Sequence, residues 1–295
     1  MNITRYQIFL KVAERGNFTR AAGELGFTQS TVSHAIQTLE AELGLPLLVR
    51  NRNGVTLTAD GRVMLPYITE ICRAQHRMEE AAKDLKGMET GLVRVATFTS
   101  VSVQWLPYIL KSFREKYPGV EFEILPGDYH QIEQWVAEGR ADCGFLRLPG
   151  TMGLDAWSLY RDQLRVIISC SQPLAGREPF PRQALAELPF IQLDEGGDYE
   201  IGAVFDSLGI RPNVQYTVKE DQTLLAMVSN GLGISIMPEL MVRRSAFPVV
   251  QCRLEKTFSR TIGICVKDRT SCSVSTRRFI EHVQRWVADN FGPHT

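Results

Sequence analysis

No run of about 18 uninterrupted apolar residues occurs in this 295-residue chain, so no membrane-spanning helix is expected. An export signal is missing as well: Met1 to Gly16 lacks an apolar core and reads as a charged amphipathic helix carrying Arg5, Lys11, Glu14 and Arg15. A cytoplasmic protein is the expectation. Net charge is also lacking. With 33 basic and 33 acidic side chains, the balance neither points to nucleic acid nor excludes it. Up to Asp60, Arg5, Lys11, Arg15, Arg20, Arg50 and Arg52 face Glu14, Glu24, Glu40, Glu42 and Asp60, too small an excess to mark a basic footprint. The cysteines (Cys72, Cys143, Cys170, Cys252, Cys265, Cys272) show no C-x-x-C spacing and no His at ligand distance, so a zinc site is not expected. They read as buried thiols of a reducing compartment, with Cys265 and Cys272 as the pair that redox sensing would use. No G-x-S-x-G, H-E-x-x-H, phosphate loop or dinucleotide fingerprint stands in a fitting context, and Gly231-Leu232-Gly233 precedes a strand. Neither an enzyme nor a cofactor is expected.

What the chain does have is pattern. Its length suits about two domains, and 44% apolar residues suffice for a core in each. Tyr6, Phe9, Leu10 and Ala13 recur at helical spacing up to Gly16. Asn17 caps a second helix with the stripe Phe18, Ala21, Ala22 and Leu25, which Gly26 stops. A third helix follows, capped by Thr28, with Val32, Ala35, Ile36, Leu39 and Leu43 on one face. Its other face carries Gln29, Ser30, Ser33, His34 and Gln37 where a merely solvated surface would carry Lys and Glu. Amides and hydroxyls are the groups that read base edges, since Gln pairs bidentately with adenine. Two short helices around a Gly-containing turn, the second polar outside, fit a helix-turn-helix. They fit a three-helix bundle with a polar surface equally well.

The next stretch decides between them. Leu47 to Thr58 reads as two extended runs around Asn53-Gly54, a hairpin signal, with Arg50 and Arg52 on the first arm. This is the pattern of a wing whose arginines meet phosphates or a minor groove. The segment Phe9 to Gly61, FLKVAERGNFTRAAGELGFTQSTVSHAIQTLEAELGLPLLVRNRNGVTLTADG, resembles the DNA-binding signature of the LysR family of transcriptional regulators. By position, that resemblance implies base or phosphate contacts from Gln29, Ser30, Ser33, His34 and Gln37, a phosphate donor in Thr31, and wing contacts from Arg50 and Arg52. Ser30 stands where Pro is frequent, His34 where Arg is frequent, and Leu48-Val49 where Phe and a polar residue are common. The His34 difference bears on the operator sequence.

From Thr58 to about Lys86 a long helix is expected, with Pro66 kinking its first turns. Met64, Ile68, Ile71, Gln75, Met78, Ala82 and Leu85 make a heptad seam that pairs two chains or packs on the helix's own domain. Gly87 to Gly91 reads as a hinge. Beyond Leu92, strands alternate with helices, which argues an α/β unit with a largely parallel sheet. WLPYILKSFREKYPGVEFEILPGD, EGRADCGFL and VSNGLGISIMPEL resemble the family's effector domain, implying two periplasmic-binding-protein-like lobes. The expected organisation is a winged helix-turn-helix over 1–58, a dimerising linker over 59–91 and an effector domain over 92–295. Lobe I takes about 92–163 and 268–295, lobe II about 164–267, with crossings near Leu164 and Lys267.

Ligands of such sheets sit at the carboxyl ends of strands. Those ends supply Thr99, Ser100, Asp128 and Arg147 in lobe I, and Gln192, Asp194, Met237 and Pro238 in lobe II. Thr99 and Ser100 either cap a helix or, with Arg147, hold an anionic effector at its N-terminus. The resemblance further implies a homodimer or tetramer, an interrupted palindromic operator in double-stranded DNA, a small-molecule effector and contact with RNA polymerase. A freestanding solute-binding protein would match only the C-terminal lobes.

Overall fold

The computed structural model describes residues 2–51, 54–84, 90–194 and 199–292. Three helices come first: α1 (Ile3–Arg15), α2 (Phe18–Leu25) and α3 (Gln29–Leu43). Asn2, Asn17 and Thr28 cap them by accepting from the N–H groups of Thr4, Arg20 and Thr31. Gly16, Gly26 and Gly44 end them in the left-handed region, which glycine enters without a Cβ penalty. Phe9, Val12, Ala21, Val32, Ile36 and Leu39 close a common core.

The hairpin follows as β1 (Leu48–Asn51) and β2 (Gly54–Leu57), paired antiparallel. It is fastened at both sides. Val55 N–H donates to the Gly16 carbonyl at 2.8 Å, and Glu40 Oε1 accepts from the N–H groups of Leu47 and Leu48 at 2.7 and 3.0 Å. The approach to Gly16 is so close that a Cβ on Gly54 would meet its carbonyl at 2.6 Å.

Helix α4 (Ala59–Asp84) starts where Thr58 Oγ1 accepts from Gly61 N–H at 2.8 Å, and it runs unbroken across Pro66. The expected seam divides between two faces of this helix. Met64, Ile68 and Cys72 turn inward because this helix must also close the N-terminal core. The outward stripe is Val63, Tyr67, Ile71, Ala74 and Met78, with Tyr67 and Met78 64% and 65% exposed. Leu85, expected in the seam, and Gly87 to Glu89 of the expected hinge lie outside the described residues. Thr90 and Gly91 belong to a strand instead of a hinge.

The C-terminal unit opens with β3 (Thr90–Thr97), α5 (Thr99–Gln104), α6 (Leu106–Lys116), β4 (Gly119–Pro126), α7 (Tyr129–Glu138) and β5 (Cys143–Leu148). The stretch between β3 and β4 forms two helices, broken at Trp105, with Pro107 in the first turn of the second. Then comes β6 (Asp155–Ser169), which extends well before its apolar end. Lobe II holds α8 (Arg182–Glu187), β7 (Pro189–Leu193), α9 (Tyr199–Leu208), β8 (Asn213–Val218), α10 (Asp221–Ser229), β9 (Ser235–Pro238), α11 (Glu239–Val242) and β10 (Val249–Arg253). The chain returns through β11 (Ser259–Val266) and ends in α12 (Val274–Phe291).

The main sheet has the order β10-β6-β11-β5-β3-β4, with β9 also on β6. It is mixed, not largely parallel. Strand β3 runs parallel to β4 and β5, but the pairings of β6 with β9, β10 and β11 are antiparallel, and β7 and β8 form a separate parallel pair. The cause is that the chain crosses between lobes twice, in opposite directions, within one sheet. The return falls at Ser259–Arg260 and not near Lys267, since Thr261–Cys265 already pair with β5 of lobe I. Trp105, Ile109, Phe113, Phe145 and Phe279 centre the lobe I core. Lobe II has a core on each face of its sheet, one around Val166, Phe190 and Ile236, the other around Ile167, Leu224 and Met237.

The linker is bolted to lobe I. Glu80 is buried, and its Oε1 accepts from Leu92 N–H at 3.2 Å and from the Ser275 hydroxyl at 2.9 Å. Gly91 leaves the room this needs, because a Cβ there would overlap that carboxylate oxygen. Arg73 Nη2 adds bonds to the Ala141 carbonyl at 3.0 Å and to Asp142 Oδ1 at 3.1 Å.

Candidate nucleic-acid interface and ligand cleft

The outer face of α3 follows from helical geometry: with Val32, Ile36 and Leu39 buried, Gln29, Ser30, Thr31, His34 and Gln37 stand exposed and Ser33 half-buried. The first turn is organised by Thr28, whose hydroxyl lies 2.9 Å from Ser30 Oγ and 2.8 Å from Thr31 Oγ1. Arg50 does not reach outward along the wing. Its Nη2 donates to Ser33 Oγ at 2.7 Å, and its guanidinium lies 4.3 Å from the centroid of the Phe18 ring. The wing arginine thus ties α2, α3 and β1 together, at one edge of the polar face. Arg52 lies outside the described residues.

In the C-terminal unit, the two crossing strands meet at a buried cation. Arg260 donates from Nε and Nη2 to Asp162 Oδ2 at 3.1 and 2.9 Å, from Nη2 to Ser100 Oγ at 2.7 Å and from Nη1 to the Tyr129 hydroxyl at 2.7 Å. Burial opposes its charge, yet Tyr129, Asp162 and Glu200 hold the guanidinium above its ordinary range. Asp162 is completed by Leu240 N–H at 3.0 Å. Above this floor the lobes face one another. Arg147 Nε of lobe I lies 3.6 Å from Glu200 Oε1 of lobe II. Thr99 lies against the Asp221 carboxylate, whose burial nonetheless pushes its pKa up.

Of the residues expected around a ligand, the structure therefore gathers Thr99, Ser100 and Arg147. Ser100 is fully buried and bonded to Arg260, so its hydroxyl belongs to the floor. Asp128 is exposed and closes a capping box with Gln131 at the start of α7. Met237 is buried in a lobe II core because β9 is covered on that face by α10 and α11. Gln192 is half-buried near the end of β7, and Asp194 follows it, exposed, with its N–H donating to the Val218 carbonyl at 2.7 Å. Sequence reasoning passed over Tyr129, Asp162, Glu200, Asp221 and Arg260. Asp221 was within reach, since it lies three residues beyond the end of β8, where the strand-end rule points.

A cavity of about 780 Å³ opens elsewhere, between α1, α4 and lobe I. Its Arg15, Arg73 and Arg94 are already matched by Glu24, Asp142 and Glu123. The pair Cys265 and Cys272 offers little reactivity. Burial pushes Cys265 up to about 12 and raises Cys272 as well, away from the thiolate that oxidation needs. Among the described residues no helix is long and apolar enough to cross a membrane, and no His, Cys, Asp and Glu cluster suits a metal.

Comparison with known proteins places this geometry. Residues 3–62 match the family described as bacterial regulatory helix-turn-helix protein, lysR family, and residues 86–288 match the LysR substrate binding domain. The chain belongs to the LysR family. It is a DNA-binding transcriptional regulator with an effector-binding domain, from a family of regulators and not of enzymes. The LysR-type regulator is 34% identical over 268 residues to the probable HTH-type regulator LrrA of Synechococcus elongatus, covering 90% of each chain. It is 31% identical over 284 residues to the uncharacterized HTH-type regulator YvbU of Bacillus subtilis, covering 95% of this chain and 97% of that one. The solved structure of full-length CbnR complexed with its target DNA has the same fold, at TM-score 0.69 and 23% identity over 97% of this chain and all of that one.

Proposed function

We propose that this LysR-type regulator reads an interrupted palindrome near a promoter through Gln29, Ser30, Thr31, Ser33, His34 and Gln37 of two copies of α3. The observation that carries this reading is the exposed, uncharged polar face of α3 beside the wing. Arg50 serves it by positioning Ser33, with Arg52 as the phosphate contact of the wing. That CbnR was captured on its target DNA supports the same use of the same fold. Two chains pair along the outward stripe Val63, Tyr67, Ile71, Ala74 and Met78, which sets the spacing of the recognition helices. Pairs of dimers form the tetramer. Acting on chromosomal promoters, the protein works in the cytoplasm and touches RNA polymerase.

The effector enters between the lobes, above the Arg260–Asp162 floor, among Thr99, Arg147, Glu200 and Asp221. It changes lobe closure only by its difference in affinity for the two arrangements. Lobe I carries that change to the linker through Glu80 and Arg73.

The test is to sequence the genomic fragments that the purified full-length protein retains from sheared host DNA, alongside the double variant Gln29→Ala, Ser33→Ala. A recurrent interrupted palindrome beside a few promoters, lost in the variant while its melting temperature holds, is the expected outcome. Retention of the same sites by the variant would show that α3 is misassigned. No enrichment even at low salt, where phosphate contacts are strongest, would remove the reading.

A further inference from the structure

Electrostatics of the inter-lobe cleft run against the anionic effector that the strand ends suggest. Arg260 spends its donors on Asp162, Ser100 and Tyr129, and Arg147 faces Glu200. The helix that Thr99 and Ser100 open is only six residues long, too short to gather much dipole. Among the described residues, two guanidiniums thus stand among three carboxylates, Asp162, Glu200 and Asp221. Asp221 is 7% exposed, and its Oδ1 is buried with no hydrogen-bond partner. A buried carboxylate oxygen without a donor is costly, and it is satisfied most cheaply by a charged N–H group. Asp221 sits at the start of α10 in lobe II, against Thr99 of lobe I. A donor placed there touches both lobes at once.

We propose that the effector is a small molecule bearing a protonated amine, and that the amine docks on Asp221. This rests on the reading of the cleft as the effector site. The ammonium supplies the donor that Oδ1 lacks and offsets the surplus negative charge. Its remaining hydrogens reach Thr99 Oγ1, so binding draws α5 and α10 together. An effector carrying only carboxylates would add negative charge beside Asp221 and Glu200.

The experiment uses full-length protein and a deproteinised bacterial metabolite extract, split on a cation-exchange resin at acidic pH. The retained pool holds the amines, amino acids among them, and the flow-through holds acids and neutral compounds. Melting temperature is recorded with each pool, with the retained pool after acetylation of its amines, and with Asp221→Asn in place of the native chain. The expected result is a rise with the retained pool alone, abolished by acetylation and absent in Asp221→Asn. A rise with the flow-through alone overturns the amine and leaves the effector cleft standing. Survival of the rise after acetylation, or in Asp221→Asn, also overturns it. Silence of both pools removes the effector reading itself. The acetylation arm needs no variant, so it decides even where Asp221→Asn does not fold.

Discussion

Replacing Arg260 with Met exposes the reasoning about the hinge to a quantitative check. The side chain is 4% exposed and its partner Asp162 0% exposed. Met keeps most of the volume and removes every donor. Asp162 is then left with the Leu240 N–H alone, and Ser100 loses the guanidinium. Breaking a buried pair from one side costs about 3–5 kcal/mol, because the surviving charge has nowhere to go. Arg260→Met with Asp162→Asn removes that charge yet leaves an acceptor for Leu240, so it should recover roughly 1–3 kcal/mol of the loss. The pH dependence has a fixed sign. In the single variant, the uncompensated Asp162 has a folded pKa above its unfolded one, so protonation relieves the defect. The deficit is fully present near neutral pH and shrinks as the solution is acidified. Urea unfolding followed by tryptophan fluorescence suits the question. All four tryptophans (Trp105, Trp135, Trp157, Trp286) lie in lobe I, which Arg260 enters. Protein concentration is held fixed, since oligomerisation adds to stability. A loss below about 1 kcal/mol, or no recovery in the double variant, would refute the account of a buried, tightly bonded pair.

Charging the outward stripe of α4, as Tyr67→Glu with Met78→Glu, should leave each chain folded and dissociate the dimer, which light scattering reads; an unchanged mass would place the contact elsewhere. His282 is buried beside Ser112, and burial, with Lys116 and Arg285 nearby, lowers its pKa from the ordinary 6.5. A depressed folded value favours the neutral ring, so its contribution is complete above about pH 6.5 and is lost as pH falls through the folded value. His282→Gln should therefore flatten the stability profile below about pH 6.5, while equal slopes in both proteins would clear His282 of that role. Cys265→Ser with Cys272→Ser should leave operator binding insensitive to peroxide, as in the native chain. A peroxide response present in the native chain and abolished by the pair would restore the redox reading.

The N-terminal unit was legible because its signals are local. Asn17, Thr28, Gly16 and Gly26 each mark a boundary within a few residues, and the stripe Val32–Ile36–Leu39 fixes which face of α3 looks out. The expected α4 seam divides between two apolar stripes that share that helix, Met64 and Ile68 on the core and Ile71 and Met78 facing outward. Periodicity cannot say which belongs to the core and which to a partner. Strand β6 was half hidden for another reason. Its first half mixes apolar pairs with Asp155, Ser158, Arg161, Asp162 and Gln163, and only Val166–Ile168 near its end is a continuous apolar run. The cleft was least legible of all. Arg260 and Asp162 lie almost a hundred residues apart, and nothing local to either announces a partner.

The position of β11 has a bearing on synthesis. Lobe II is a single insertion into lobe I, and β11 lies between β5 and β6, in the interior of the lobe I sheet. While the chain emerges from the ribosome, the DNA-binding unit has all its residues early and lobe II has them next. Lobe I begins first but cannot close until Ser259–Val266 and α12 arrive, so it waits with β5 unpaired on that side and Phe113 uncovered by Phe279. A nascent or prematurely ended chain therefore presents a finished DNA reader attached to an open sheet edge, the form most exposed to chaperones and proteases.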